Sequence, residues 1–354
     1  MKIRIFVGTG GVGKTSVTAA SAVAAAIDGR KTLVLTIDPA LRLRTALGMT
    51  DSPREQRVEH ESISSRGELW AVLLDVASTM DRLVRTDVSE PEAKAITAHP
   101  IYRLMLTSLA GMNELVAVER IHQAIADGFE NVFVDTAPSR HAFEFLDKPE
   151  FFVQLVSFPL VKLVGRTFGL WKRGLAGIDA GSSKLYGTVE NLVGAALAGQ
   201  VLEFFAMFQP VAEGYARRAR NTIRTLSDPK IAGFTIVSSP GRARQDGQYF
   251  FDELTRRKFP VEMLIINRLW PAMDLKQSPR VSPATRDLIG WYESVCASQG
   301  ASRDRAVADW AGKGQRVIDL PELARDVDGI DALVRIAENL QKSNNAASSS
   351  RNPQ

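Results

Sequence analysis

Apolar residues along this chain fall into short, nearly uninterrupted runs set between longer stretches with helical spacing. Residues 3–7 (IRIFV) form such a run and end in glycines, the pattern of a buried strand feeding a tight turn. Residues 32–37, 70–74, 131–134, 231–237 and 261–266 repeat it. Between them, residues 16–28 are rich in Ala and Val and close at Gly29, and residues 114–126 stop at Gly128, both as helices do. Continuous rather than alternating apolar strands, interleaved with helices, predict an α/β fold: a mostly parallel sheet covered by helices on both faces.

The rhythm changes between residues 149 and 228. No strand is expected there, and large apolar residues dominate, so this region reads as an inserted helical subdomain. A second helical patch is expected near residues 78–109. Residues 272–302 are polar with several prolines and read as loops and a helix. Residues 343–354 (SNNAASSSRNPQ) are polar and low in complexity, the signature of a disordered tail. The expected organisation is therefore one domain over residues 1–342, with its insert, followed by a tail.

Composition narrows the function classes. The 354 residues are 45% hydrophobic and 24% charged, the balance of a globular protein. The single cysteine, Cys296, excludes a disulfide framework and a thiolate zinc cluster made by this chain alone, and fits a reducing, cytoplasmic setting. A net charge of +4 is too small to imply a nucleic-acid partner. The basic run at Tyr215, Arg217, Arg218 and Arg220 reads as a solvated helix face. No apolar stretch is long enough for a membrane span, and the N-terminal residues do not resemble a signal peptide.

The chemistry concentrates at Gly8-Thr9-Gly10-Gly11-Val12-Gly13-Lys14-Thr15, which fits G-x-x-x-x-G-K-[ST] between an expected strand and an expected helix. Glycines let the backbone curl its N–H groups around an anion, and the helix start adds its positive dipole end. Lys14 is expected on the β- and γ-phosphates of a nucleotide, and the Thr15 hydroxyl on Mg²⁺. Asp135 ends the strand at residues 131–134, where a second Mg²⁺-holding residue belongs, acting directly or through water. Asp38 ends the strand at residues 32–37 on the same carboxyl edge of the sheet, placed to orient or deprotonate an attacking water.

These residues, with others farther along, resemble the ArsA-type anion-pump ATPases and their relatives, the ATPases that target tail-anchored membrane proteins. Both belong to the deviant-Walker-A group of dimeric P-loop ATPases. Thr36-Ile37-Asp38-Pro39-Ala40 is similar to the family's first switch, and Asp135-Thr136-Ala137-Pro138 with His141 to its second. Gly111-Met112-Asn113-Glu114 resembles a P-G-x-x-E element with Ala110 in place of proline. Ile266-Asn267-Arg268 resembles the strand end whose asparagine reads adenine, and Leu320-Pro321-Glu322-Leu323 the element beside the base. The resemblance implies ATP and Mg²⁺ as cofactors. It implies Asp38 as water-positioning residue, Asp135 as a water-mediated Mg²⁺ ligand, Asn267 and Pro321 at the base, and Ser16 near the α-phosphate. His141 reads first as structural.

Three departures limit what carries over. The family's signature lysine falls at Thr9, which is neutral and short. Hydrolysis is then slow, or Arg42, Arg44 or Arg140 substitutes, or a paralogous partner supplies the lysine in a heterodimer rather than a homodimer. A single cysteine builds neither an arsenite site nor a zinc bridge between subunits. Residues 151–163 and 192–208, rich in Phe, Leu and Val, are either a groove for a hydrophobic or tail-anchored client or the insert's own core. Lys162, Arg166, Lys172 and Arg173 beside them leave a membrane-surface helix as a third reading, with peripheral association. The expected function is an ATPase whose nucleotide state governs this helical region. The alternatives are a nucleotide-switched scaffold with little turnover and a subunit of an anion efflux pump.

Overall fold

The computed structural model describes residues 1–37, 42–50, 52, 54–64, 66–108, 112–137, 143, 146, 195–272 and 282–349. These form two compact units: an α/β unit (residues 1–73, 124–142 and 225–354) and a helical unit (residues 74–123 and 143–224). The helical patch and the helical insert, expected as separate features, fall within one unit. Residues 147–194, which carry most of the expected insert, lie outside the described residues.

The α/β unit is built on one eight-stranded sheet in the order β3-β4-β2-β5-β1-β6-β7-β8. Its strands are β1 (Lys2–Val7), β2 (Lys31–Thr36), β3 (Gln56–Val58), β4 (Glu68–Leu73), β5 (Asn131–Asp135), β6 (Ala232–Ser238), β7 (Val261–Leu269) and β8 (Arg316–Pro321). All neighbours are parallel except β3 against β4. Six strands match the six apolar runs. The edge strands β3 and β8 carry no such run, because an edge buries less and tolerates Arg316, Asp319 and Pro321. β5 and β6, next to the sheet centre, are buried along their whole length.

The helix Lys14–Ile27 follows β1 and packs on the sheet through Ala19, Ala20, Ala22, Val23 and Ala26, all fully buried. Small side chains let the helix axis approach the sheet closely, and good helix propensity accompanies them. The same core takes in Phe6, Val34 and Phe133 from the sheet and Leu333 and Ala337 from the helix Ile330–Ser349. That last helix corrects one expectation: it runs through residues 343–349 instead of giving way to a tail at Ser343. Its continuation is anchored, since the Ser343 hydroxyl donates to the Asp319 carbonyl oxygen (3.2 Å) and Arg316 reaches Asn344 Oδ1 (3.5 Å).

In the helical unit, the helices Val76–Asp87, Glu90–Ala98 and Pro100–Ser108 occupy the expected patch, and the helix Ala195–Leu226 runs through the end of the expected insert. Asp75 caps the first by accepting from the Ser78 N–H (2.6 Å), and Glu92 accepts from Ser89 N–H (3.0 Å) at the second. The basic run on Ala195–Leu226 is only half solvated. Arg217 and Arg220 face water, while Tyr215 is buried and Arg218 turns inward, a correction to the expected solvated face. The helical period of about 3.6 residues per turn, not the local charge, decides which arginine meets the core. Among the described residues, no helix is long and apolar enough to cross a membrane.

Candidate nucleotide site

The loop from Gly8 to Gly13 leaves β1 at the carboxyl edge of the sheet and ends at the N-terminus of Lys14–Ile27. A side chain at residue 8 would collide with the Val237 carbonyl at the end of β6, so only glycine lets the loop depart there. Gly13 caps the helix in the left-handed conformation (φ 84°), and a Cβ on it would collide with the Asn267 amide.

Strand register brings the chemical groups together. Phe6 of β1 and Thr36 of β2 both pair with Asp135 of β5, so the three strands end level. Lys14 Nζ donates to Asp135 Oδ1 (2.7 Å) and to the Thr136 carbonyl. Thr15 Oγ1 donates to Asp135 Oδ2 (2.8 Å), and Thr36 Oγ1 approaches the same oxygen (3.3 Å). Thr136 Oγ1 donates to the Phe6 carbonyl (2.7 Å), pinning the chain just after β5. Lys14 is 4% and Asp135 0% exposed, so this is a buried charge pair satisfied on both sides. Two hydroxyls and a carboxylate are hard oxygen donors of the kind Mg²⁺ takes, so the donor set fits that ion.

A second group lies at the end of β7. Asn267 Nδ2 donates to the Val12 carbonyl (2.8 Å), and Arg268 Nη1 donates to the Gly11 carbonyl (3.0 Å). Arg268 Nε also faces Glu322 Oε2 at 3.7 Å. Ser16, Asn267 and Pro321, expected separately along the chain, line one cleft with Gly13 and Leu320. A third contact ties the loop to the helix Ala243–Arg256. Thr9 Oγ1 donates to Asp246 Oδ2 (2.8 Å), and the same oxygen takes Arg242 Nε (3.5 Å).

The structure thus assembles Lys14, Thr15 and Asp135 in one cluster, and Gly13, Ser16, Asn267 and Pro321 around one cleft, with Gly10, Gly11 and Val12 in the connecting loop. Asp38, Arg140 and His141 lie outside the described residues, as do Ala110 and Gly111. Arg42 and Arg44 lie on the short helix Arg42–Leu47. Sequence reasoning assigned no role to Thr36, Thr136, Asp246 or Arg268. The first two and Arg268 stand inside quoted motifs, whereas Asp246 carries no local signal.

A family model described as anion-transporting ATPase matches residues 1–287. The chain is 25% identical over 328 residues to the uncharacterized protein SCO2128 of Streptomyces coelicolor, covering 92% of this chain and 76% of that one. It is 22% identical over 335 residues to the ATPase GET3 of Rhodotorula glutinis, covering 93% and 85%. A putative arsenical pump-driving ATPase of Prosthecochloris vibrioformis is 28% identical over 151 residues, 42% of this chain and 36% of that relative, so the match spans about a third of the pump-driving protein.

Proposed function

Because the chain belongs to the anion-transporting ATPase family, we propose that it hydrolyses Mg²⁺-ATP at the Lys14–Thr15–Asp135 cluster, in a dimer whose nucleotide state governs the helical unit. The observation that carries this reading is the buried convergence of Lys14, Thr15 and Thr36 on Asp135, beneath a glycine loop at the ligand edge of a parallel sheet. Lys14 leaves Asp135 Oδ1 for the phosphate oxygens of the nucleotide. Thr15 and, through water, Asp135 would hold Mg²⁺, which when bound would neutralise phosphate charge. Asp38 positions the water that attacks the γ-phosphorus, with ADP as leaving group.

The client is proposed to be a hydrophobic helix of a membrane protein. The relative named GET3 supports this class over an efflux-pump subunit. A second reading, a nucleotide-dependent scaffold with little turnover, is favoured by Thr9. It stands where the family resemblance places a lysine, and it is tied to Asp246.

The test is phosphate release and oligomeric state with Mg²⁺-ATP, with and without a tail-anchored peptide or liposomes. Client-dependent complexes with turnover support the first reading, and Asp38→Asn should then keep ATP binding and lose hydrolysis. Nucleotide-dependent dimers without turnover support the second. Arsenite-stimulated turnover would replace both with an anion pump.

A further inference from the structure

The end of β7 has a feature that base recognition does not require. Arg268 has a left-handed backbone (φ 67°), which among the described non-glycine residues is shared only with Lys258. Such a conformation is strained for a residue with a side chain and persists where the surroundings impose it. The register of β7 against β8 also shifts between Ile266 and Leu269. Consecutive residues of a regular strand point to opposite faces. The irregularity lets both Asn267 and Arg268 turn their side chains onto the same loop, on the carbonyls of Val12 and Gly11.

Those two contacts fix the direction of two amides. In a trans peptide the C=O and the following N–H point opposite ways, and no described peptide bond is cis. Holding the Gly11 carbonyl toward Arg268 turns the Val12 N–H away from β7. Holding the Val12 carbonyl toward Asn267 does the same for the Gly13 N–H. Gly11 (φ 80°) and Gly13 (φ 84°) flank them in left-handed geometry, the alternation that makes successive N–H groups converge on an anion. A bare Gly13 is also what allows the Asn267 amide to come so close.

We propose that Asn267 and Arg268 are positioning residues of the phosphate loop, which hold the Val12 and Gly13 amides toward the phosphates and so act on polyphosphate binding whether or not a base is attached. This rests on the loop being a nucleotide site, and it differs from a role for Asn267 confined to the base. Glu322 steadies the arrangement from the end of β8, where its own N–H donates to the Leu269 carbonyl (2.8 Å).

The test uses a ligand without a base. Inorganic tripolyphosphate with Mg²⁺ is titrated against a fluorescent ATP analogue, on the full chain and on Arg268→Gly and Asn267→Ala. The glycine variant accommodates the left-handed backbone without strain and removes the whole side chain, guanidinium included. If it does not fold, Arg268→Asn serves, since Asn tolerates that region. The expected result is a loss of tripolyphosphate affinity of about tenfold in each variant, the effect of one lost hydrogen bond to a loop that binds charge. Arg268→Lys, which keeps a donor, should fall between. Tripolyphosphate affinity within about twofold of the parent in both variants, with ATP or adenosine affinity reduced, assigns the pair to the base and overturns the proposal. A parent chain that binds neither ATP nor tripolyphosphate overturns the nucleotide site itself, and this inference with it.

Discussion

Lys14 and Asp135 in the α/β unit, and Arg218, Asp87 and Glu119 in the helical unit, are charge clusters withdrawn from water. Their valence chemistry differs. Arg218 spends its fork on both carboxylates: Nη1 and Nη2 on Asp87 (2.8 and 2.7 Å) and Nε on both oxygens of Glu119 (3.1 and 3.0 Å). Burial opposes the charge, yet the hydrogen bonds it donates to Asp87 and the nearby Glu119 carboxylate hold the guanidinium protonated above its ordinary range. Such a planar fork has one arrangement. Lys14 is a point charge with rotatable donors, and the second oxygen of Asp135 is held by hydroxyls that can re-aim. Burial alone therefore does not mark a site. A saturated bidentate cluster holds helices in place, whereas an ammonium and two hydroxyls beside a glycine loop can exchange partners for a phosphate or a metal ion.

Breaking each cluster should expose the contrast. Arg218→Ala leaves two carboxylates, 8% and 2% exposed, facing one another without a cation. We expect a loss of about 3–5 kcal/mol in denaturant unfolding, with ATP binding by the folded fraction unchanged. Lys14→Ala should do the opposite: a fall in ATP affinity and turnover of about a hundredfold or more, as for loss of a charged transition-state partner. Its unfolding midpoint should move less than that of Arg218→Ala, because Asp135 keeps its hydroxyl donors.

Gly214→Ala sharpens the packing side of the comparison. A Cβ there would collide with the Asp87 carboxylate, which Arg218 already pins. The cost should be about 1–3 kcal/mol despite alanine's better helix propensity, read by thermal melting. The smallest effect belongs to a cluster of the same groups that is only partly withdrawn from water. Hydrogen bonds from Arg256, then Arg257, hold Glu253 at about 2, well below the ordinary carboxylate range. Its folded-state value lies below the unfolded one. Its contribution is therefore full at neutral pH and fades as pH falls from about 4.3 toward 2. Glu253→Gln should cost about 1 kcal/mol or less at pH 7, and its difference from the parent should narrow by pH 3.

The same contrast separates what was legible in the chain from what was not. The glycine loop, Lys14 and Thr15 are contiguous, and Asp135 closes an apolar run, so local pattern is enough to single them out, and the fold brings them together. The inward turn of Arg218 was invisible within a basic run, since Arg217 and Arg220 beside it face water. β8 was missed because its Arg and Asp interrupt the apolar pattern, although its end supplies Pro321 and Glu322 to the cleft. The Thr9–Asp246 bond joins residues 237 positions apart, and no periodicity reports such a pair.

By itself, then, the sequence determined the alternation of strands and helices, the identity of the phosphate loop and the residues able to bear its chemistry. Each of these follows from propensities and spacings within about one turn or one strand. Only the tertiary structure decided that Asp135 receives Lys14, Thr15 and Thr36 together, that Asn267 and Arg268 grip the loop's carbonyls, and that Arg218 closes on two carboxylates. Those outcomes depend on strand order, register and helix rotation, which are set by burying the whole core at once rather than by any local stretch of chain.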